Sequence, residues 1–391
     1  MKTLVINAGS SSIKFQVFEM PEEKVLVSAN FERIGLDNSF YSLVKSGEKI
    51  KKEAVLNNHL TAINIFLEEL ISNQIVSSLE EIKTVGHRVV HGSSKYKESI
   101  IIDNQVMEDI KSFSDLAPLH NPANLLGIQA VKTALPNAIN VAVFDTAFHQ
   151  TMPKESFIYP VPYEWYEQYG VRKYGFHGVS HHYVSLRIAE LENKQPKIII
   201  CHLGNGASIS AVKEGKCLNT SMGFTPISGI AMGTRCGDID PSIIPYIMQK
   251  TNKSINEIMD DLNKKSGMLG MSQISSDARE IETAINEGNE KAILAQKIYI
   301  QKIVSFISYY HTLLGGAEVI AFTAGIGEKD KEVRKEIMEM LKPLGVVIDY
   351  SANDVKGVET VITTEESKIK CYIIPTNEEL MIGKETYRLS I

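Results

Sequence analysis

The alternation of apolar and polar residues predicts two similar β-hairpins in this chain. Residues 3–18 consist of an apolar run, a Gly-Ser turn and a strictly alternating run, and residues 197–213 repeat that order. Such a pattern is typical of a buried strand paired with a half-buried one. Because the second copy starts about half of the 391 residues after the first, we expect a duplicated chain with two related halves.

A second pair of segments supports the duplication. Residues 140–148 and 318–327 each consist of an apolar run that leads into a loop of small residues. We therefore interpret these two segments as corresponding strands of the two halves.

Helical spacing of apolar residues separates the predicted strands. Residues 59–73 and 121–135 show this spacing, and Pro122 occupies a first-turn position that a helix tolerates. Residues 277–314 predict two helices interrupted at 288–289, the second of them a core or subunit-interface helix. Strands that alternate with helices predict the α/β class.

Composition narrows the kind of protein. A length of 391 residues suggests two or three domains, and 43% hydrophobic against 23% charged residues excludes a disordered chain. The net charge of −6, from 41 basic and 47 acidic residues, argues against nucleic acid as a partner. We find no apolar run of ~18 residues, no signal-peptide pattern and no CxxC pair. We therefore expect a soluble, cytoplasmic protein with no membrane partner.

Histidines concentrate in the middle of the chain, where eight of the ten lie between positions 87 and 202. His177 and His181 have the spacing of two zinc ligands on one helical face, but no glutamate follows His177 as in an HExxH motif. We favour one histidine in phosphate chemistry and another in structural support.

Three glycine-rich turns are candidates for phosphate binding. On the strand that follows Gly9, the residues Ser10, Ser12 and Lys14 share one face and could cradle a phosphate, although an ordinary serine-rich hairpin fits equally well. The turns at 202–208 and 324–329 also follow apolar runs, and neither completes GxGxxG. Together the turns favour a nucleotide held between two domains.

Two arginines and one of the adjacent residues Glu378 and Glu379 are the last candidate functional residues that follow from the residues alone. Arg88 lies in a strand-like segment, and Arg235 lies in a Gly/Asp-rich loop where a salt bridge to Asp238 or Asp240 is the alternative. Thr376 and Glu379 have capping-box spacing. That assignment leaves Glu378 as the candidate for magnesium.

Four longer motifs resemble the acetate kinase family of short-chain acyl kinases, over essentially the whole chain. They are NAGSSSIK at 7–14, YGFHGVSH at 174–181, SMGFTP at 221–226 and GTRCGDIDP at 233–241. The family belongs to the superfamily of acetate and sugar kinases, heat-shock chaperones and actin. The resemblance implies two duplicated actin-like (ribonuclease H-like) domains around a nucleotide-binding cleft, and a homodimer. The expected domains are 1–149 with 380–391, to which the last helix returns, and 150–379 for nucleotide binding and dimerisation.

The resemblance also implies a reaction and its residues. It implies reversible, direct in-line transfer of the ATP γ-phosphoryl group to acetate, which gives acetyl phosphate and ADP, with Mg²⁺ (or Mn²⁺) as cofactor. Catalytic roles fall on Asp145, His177 and Arg235, and metal roles on Asn7 and Glu378. The acetate site is expected to comprise Arg88, Val90, Leu119, His120, Phe176 and Pro226. Nucleotide-binding roles fall on Lys14 with Ser10 and Ser12, and on His202, Leu203, Gly204, Asn205, Gly206, Asp277, Ala278, Arg279, Gly325, Ile326, Gly327, Glu328 and Lys329.

Two alternatives remain open from the sequence. One additional methylene in an apolar pocket is worth only roughly 1–3 kcal/mol, so propionate or another short-chain acid is the alternative acceptor. Ile-Ser-Gly also follows Pro226 where Leu-Glu-Gly is common in the family. A more distant alternative is a nucleotide-operated binding protein of the actin or chaperone type.

Overall fold

The computed structural model of the chain describes residues 1–9, 11–118 and 120–391. Its internal contacts divide the chain into two compact units. Unit 1 comprises residues 1–148 and 377–391, and unit 2 comprises residues 149–376. Each unit is built on one mixed β-sheet with helices packed against it.

Unit 1 contains an eight-stranded sheet. Its strands are β1 (Lys2–Ala8), β2 (Ser12–Glu19), β3 (Lys24–Glu32), β4 (Phe40–Lys45), β5 (Glu48–Glu53), β6 (Ile82–Val89), β7 (Ile100–Ile101) and β8 (Ile139–Phe144). The spatial order is β5-β4-β3-β2-β1-β6-β8-β7. Strands β1 to β5 form an antiparallel meander, whereas β6 runs parallel to β1 and β8 runs parallel to β6.

Helices cover both faces of this sheet near β1. The helices of unit 1 are α1 (His59–Ser72), α2 (Asn104–Ser112), α3 (Asn121–Ala134) and α14 (Glu378–Ser390). Leu4 of β1 belongs to the apolar cluster beneath α1, whereas Val5 points to the opposite face, beside α14. Gly86 allows α14 to lie close to β6, since a Cβ there would lie 2.1 Å from Thr386 Oγ1.

Unit 2 contains a six-stranded sheet and the remaining helices. Its strands are β9 (Ile198–Leu203), β10 (Ala207–Lys213), β11 (Lys216–Thr220), β12 (Val319–Thr323), β13 (Thr360–Val361) and β14 (Lys370–Ile373), in the spatial order β11-β10-β9-β12-β14-β13. The α-helices are α4 (Lys154–Phe157), α5 (Tyr163–Tyr169), α6 (Gly178–Glu192), α7 (Ile243–Thr251), α8 (Ile255–Lys264), α9 (Gly267–Ser272), α10 (Ala278–Asn286), α11 (Glu290–Leu313), α12 (Ala324–Lys329) and α13 (Lys331–Met340).

The two sheets share a five-strand order, which shows how the halves correspond. The order β3-β2-β1-β6-β8 in unit 1 matches β11-β10-β9-β12-β14 in unit 2. Both predicted hairpins are confirmed, as β1–β2 and as β9–β10. The second predicted pairing is wrong: β12, which follows residue 318, corresponds to β6, and β8 corresponds to β14. Both members of that pair are buried parallel strands, and such strands have the same local pattern.

The α/β class is confirmed, and the predicted helices occur as α1, α3, α10 and α11. The gap at 288–289 separates α10 from α11, where Asn289 caps α11 by accepting from two backbone N–H groups. Helix α11 contacts β9 and β10. Within the described ranges, no helix combines the length and apolar character needed to span a membrane.

Candidate active site

Parallel strands in unit 1 bring Arg88 and Asp145 together. Arg88 lies on β6 and Asp145 follows β8, and the backbone N–H of Asp145 donates to the Val89 carbonyl. Arg88 Nη2 lies 2.8 Å from Asp145 Oδ2, in a pair whose side chains are 19% and 3% exposed. Adjacent parallel strands end at the same edge of a sheet, so this buried ion pair follows from the topology.

The start of α14 adds carboxylates to this pair. Asn7 on β1 donates from Nδ2 to Glu378 Oε2 (3.3 Å) and to Glu379 Oε1 (3.1 Å), and its Oδ1 accepts from Arg88 Nη1 at 3.3 Å. Glu379 Oε1 also lies 3.8 Å from Lys14 Nζ. Asn7, Arg88, Asp145, Glu378 and Glu379 are called the carboxylate cluster below.

The predicted capping box is wrong. Asn377 caps α14, because its side chain accepts from the Leu380 backbone N–H at 3.0 Å. The helix therefore begins one residue later than a cap at Thr376 would require. Glu379 is consequently not a capping residue and belongs to the same cluster as Glu378.

The charges within the carboxylate cluster shift the pKa values of Glu378 and Arg88. Burial raises the pKa of Glu378, and the negative charges of Asp145 and Glu379 raise it further against the opposing effect of Arg88. Burial lowers the pKa of Arg88, but the carboxylates, Asp145 first, outweigh it and raise the pKa above its ordinary value. Three carboxylates therefore face a single buried guanidinium and the exposed Lys14.

The donor set of the carboxylate cluster fits magnesium. Carboxylate and amide oxygens are ligands of Mg²⁺, which usually takes one or two carboxylates and completes its shell with water and substrate phosphates. Asn7 and Glu378 supply such oxygens, and Glu379 is a candidate that the sequence assigned elsewhere. Among the described residues, no three or more His, Cys, Asp or Glu side chains are grouped so that they could hold a metal ion by themselves.

The other predicted residues of unit 1 have separate positions. Ser12 begins β2, and its carbonyl accepts from Gly9 N at 2.8 Å. Val90 is 5% exposed and follows β6, and His120 precedes α3. The predictions at Ser10 and Leu119 lie outside the described residues.

In unit 2, one glycine turn brings together His177 and Arg235. His177 immediately precedes α6 in a left-handed conformation, φ 58°. A Cβ on Gly206, in the turn between β9 and β10, would lie 3.4 Å from both His177 Nε2 and Arg235 Nη1. The His202 ring stacks on His177 with the ring centroids 4.2 Å apart. Glycine at 206 thus leaves space beside a guanidinium and an imidazole.

Arg235 has no carboxylate partner among the described residues. Its Nη1 donates to the Pro226 carbonyl at 3.2 Å, and it makes no ion pair there. Asp238 instead accepts from Gly229 N and Asp240 accepts from Ser242 N, so the salt-bridge alternative is wrong. Burial lowers the pKa of Arg235.

His181 has a structural environment. Its Nε2 lies 2.8 Å from Ser208 Oγ, its Nδ1 lies 2.8 Å from Ser210 Oγ, and the residue is fully buried. Burial lowers the pKa of His181 well below its ordinary value. Both ring nitrogens therefore contact hydroxyl groups, as expected for a supporting histidine.

A pocket in unit 2 adjoins the glycine turn. Four of the twelve residues that line it were predicted to bind the nucleotide: Gly204, Asn205, Ala278 and Ile326. The other eight were not predicted, and they include Gln296 and Tyr299. The buried Tyr299 hydroxyl has no hydrogen-bond partner among the described residues. Gln296 and Tyr299 lie on α11, which the sequence marks only as apolar.

Most of the other residues of unit 2 predicted to bind the nucleotide lie at the start of α10, in α12 and in β9. Asp277 caps α10, and hydrogen bonds from the exposed Arg279 lower the pKa of Asp277 to about 2. The segment 325–329 lies within α12, where Glu328 Oε1 accepts from Ala324 N and Thr376 N. Leu203 is buried in β9, and Phe176 is 2% exposed beside His177.

Comparison with known proteins identifies the family. A model described as the acetokinase family matches residues 2–384. "Acetate kinase" of Geobacillus sp. (strain WCH70) is 51% identical over 392 aligned residues, which cover 100% of this chain and 99% of the relative.

Solved structures agree. The Porphyromonas gingivalis acetate kinase is 42% identical with a TM-score of 0.94, and a propionate kinase from Francisella tularensis subsp. tularensis SCHU S4 is 40% identical with the same TM-score. Each comparison covers 99% of both chains. The chain belongs to the acetokinase family, and the family predicted from its motifs is confirmed.

The raised pKa of Glu378 predicts a pH-dependent loss of stability. In the unfolded chain Glu378 ionises at its ordinary pKa, whereas the folded protein retains the proton to higher pH, so its contribution to stability falls as the pH rises through the folded value. We expect Glu378→Gln to raise the Tm of the metal-free protein at pH 8, with a difference that shrinks towards pH 4.

Thermal unfolding at pH 4 to 8 in EDTA measures this difference. Glu366→Gln, at an exposed carboxylate, is the control and is expected to leave the Tm unchanged. A Glu378→Gln protein less stable than wild type at pH 8 contradicts the prediction.

Proposed function

We propose that this chain transfers the γ-phosphoryl group of ATP to acetate in a reversible, direct in-line reaction, which gives acetyl phosphate and ADP. The observation that carries the proposal is Arg235, a partly buried guanidinium without a described carboxylate partner, beside His177 at a glycine turn. The family, acetokinase, supports the same reaction.

Phosphoryl transfer needs positioning and countercharge more than covalent chemistry. Its transition state spreads negative charge over three equatorial oxygens, which donors fixed in advance stabilise. A guanidinium offers paired N–H donors in a plane, and an imidazole adds one more. Arg235 and His177 are therefore proposed as the groups that bind the transferred phosphoryl.

Arg88 is the proposed ligand of the acetate carboxylate. Asp145 and Asn7 hold its Nη2 and Nη1 groups, whereas its buried Nε has no described hydrogen-bond partner. A donor that is buried and unpaired is costly, so binding of an anionic oxygen there would be favourable. Asn7 also bridges Arg88 to Glu378 and Glu379.

Asp145 is proposed to orient Arg88 rather than to transfer a proton. A substrate carboxylate is already ionised at neutral pH and needs no general base. The 2.8 Å contact between Asp145 Oδ2 and Arg88 Nη2 is an orienting interaction. Asp145 also adds negative charge to the cluster that would hold the metal.

Magnesium is the proposed cofactor, held by Asn7 and Glu378, with Mn²⁺ as a substitute. When bound, the ion would neutralise phosphate charge and orient the phosphate oxygens. Glu379 joins these residues as a further candidate, because it contacts Asn7 and Lys14. Lys14 is proposed to contact the nucleotide phosphates.

Ala278, Ile326 and Tyr299, which line the narrow pocket in unit 2, are proposed to contact the nucleoside part of ATP. Apolar side chains suit a flat base, and the free Tyr299 hydroxyl supplies a polar contact. The turn at Gly204 and Asn205 and the segment 325–329 are proposed to lie beside the phosphates. Asp277 and Arg279 remain proposed nucleotide contacts.

A second candidate function is a propionate kinase. A solved propionate kinase has the same TM-score against this chain as a solved acetate kinase, 0.94. The family resemblance assigns the methyl contacts to Val90, Phe176 and Pro226. One additional methylene changes binding by only roughly 1–3 kcal/mol, so both acids are expected to react at different rates.

The proposal also covers the oligomeric state of the protein and its location in the cell. Units 1 and 2 are proposed to correspond to the acyl-binding and the nucleotide-binding and dimerisation domains. Helix α7 has no buried residue, and its Ile243 and Tyr246 are 45% and 59% exposed, which supports a homodimer contact through unit 2. Four free cysteines support a reducing, cytoplasmic location.

A hydroxylamine trap for acyl phosphate tests the proposed function directly. With ATP and Mg²⁺ we expect acetyl hydroxamate, and a kcat/KM for propionate lower than that for acetate by roughly 10–200-fold. Butyrate provides the third acid of the series. A higher kcat/KM for propionate favours the second candidate, and acid-independent ATP hydrolysis without acyl phosphate contradicts both.

Replacement of Arg235 tests the observation that carries the proposal. Arg235→Ala is expected to lower kcat by about 10²–10⁵, the range for oxyanion donors and arginine fingers, because the transition-state charge loses its bidentate donor. Arg388→Ala, at an exposed arginine near the end of α14 and outside the proposed site, is the control for general loss of charge, and we expect kcat to change little. A kcat for Arg235→Ala within about tenfold of wild type would overturn the role.

Replacement of Asp145 by asparagine tests its orienting role. The variant keeps the shape but loses the charge that holds Arg88, so we expect kcat to fall and the KM for acetate to rise. Steady-state kinetics at saturating Mg²⁺ measure both constants, with Asp109→Asn, a carboxylate elsewhere in unit 1, as control. Full activity of Asp145→Asn contradicts the role.

A further inference from the structure

Buried polar side chains in unit 2 form a chain of hydrogen bonds that starts at Nδ1 of His177. His177 Nδ1 lies 2.9 Å from Ser208 Oγ, which also lies 2.8 Å from His181 Nε2. On the other side of its ring, His181 Nδ1 lies 2.8 Å from Ser210 Oγ. Ser208, His181 and Ser210 are all fully buried, and they are called the relay below.

Each member of the relay can supply only a limited number of protons. A serine hydroxyl has one proton and a neutral imidazole has one N–H. Burial keeps His181 neutral, and His149 and His202 also lower its pKa. The Ser208 hydroxyl therefore donates to one of its two histidine neighbours and accepts from the other.

Only one direction satisfies every donor. If Ser210 donates to His181 Nδ1, then His181 Nε2–H donates to Ser208, and Ser208 donates to His177 Nδ1. In the reverse direction, His181 Nδ1–H donates to Ser210, whose own proton then has no acceptor among the described residues. A buried hydroxyl proton without an acceptor is unfavourable, so the first direction is preferred.

We propose that Ser210, acting through His181 and Ser208, holds His177 in the tautomer that carries its proton on Nε2. The proposal rests on the proposed function, because it deepens the role of His177 there. The Nε2 atom faces the space beside Gly206 and Arg235, where a phosphoryl oxygen needs a donor. Ser208, His181 and Ser210 are positioning residues.

The relay also opposes protonation of His177 to a cation. A second proton on Nδ1 would have to donate to Ser208, which reverses the relay and leaves the Ser210 proton unpaired. Among the described residues, the titratable and charged groups near these two rings include His149, His202 and Arg235. Removal of the Ser210 hydroxyl should therefore raise the pH at which His177 becomes protonated.

Nitrogen-15 NMR of the full-length protein, labelled at histidine, tests the proposal without any assay of activity. The His177 signals are assigned by their loss in His177→Gln. In wild type at pH 7.5 we expect a protonated Nε2 and an unprotonated Nδ1. In Ser210→Ala we expect protonation of His177 at higher pH or a detectable Nδ1–H tautomer. A wild-type Nδ1–H tautomer, or an unchanged Ser210→Ala titration, overturns the proposal.

Kinetics of Ser208→Ala provide the second test. We expect kcat to fall about tenfold, less than the 10²–10³ for direct loss of an oxyanion donor, with the KM for ATP and acetate within about twofold. Ser185→Ala, a buried serine on α6 outside the relay, should leave kcat unchanged. A purely structural role would lower the Tm of Ser208→Ala and leave kcat intact, which overturns the positioning role.

The two proposals fail in different ways. If wild type forms no acyl phosphate from any acid, the proposed function fails, while the NMR spectrum still decides the tautomer. If wild type forms acyl phosphate but His177 carries its neutral proton on Nδ1, only the relay fails.

Discussion

The main constraint on the candidate site in unit 2 is the charge of Arg235, which is partly buried and has no carboxylate partner among the described residues. A buried charge is unfavourable unless a partner compensates it, and proteins usually provide that partner themselves. Arg235 receives only a backbone carbonyl and a sulfur contact from the described residues. An anionic ligand would supply the missing compensation. The glycine at 206 is part of the same arrangement, because a Cβ there would lie 3.4 Å from both Arg235 Nη1 and His177 Nε2.

Unit 1 has the opposite charge balance. Asp145, Glu378 and Glu379 outnumber Arg88 in the carboxylate cluster, so the unoffset charge is negative and suits a metal cation. The pair Arg88–Asp145 leaves the buried Arg88 Nε–H without a hydrogen-bond partner among the described residues. The net charge of −6 therefore does not by itself argue against an anionic ligand, since charges at short distance outweigh the overall charge.

The sequence predicts those parts of the candidate active site that depend on residues close together in the sequence. Hairpins, helices and glycine turns have local patterns, and the family motifs contain Arg235 and His177. The capping box failed because Thr376 and Glu379 have the required spacing, but the helix begins one residue later and Asn377 caps it. Glu379 instead contacts Asn7, which is 372 positions away, and no local pattern encodes that contact. The strand pairing failed for the same reason: strand order is a property of the whole sheet.

The relay shows what alternation along a strand cannot reveal. Ser208 and Ser210 occupy alternate positions of β10, a pattern that usually marks a face exposed to water. Here both faces of β10 are buried, so the two hydroxyls require partners inside the protein, and His181 supplies them. Apolar residues at these positions would avoid the need for hydrogen bonds altogether. Stability alone therefore does not explain a serine–histidine network in this core, whereas control of the His177 tautomer does.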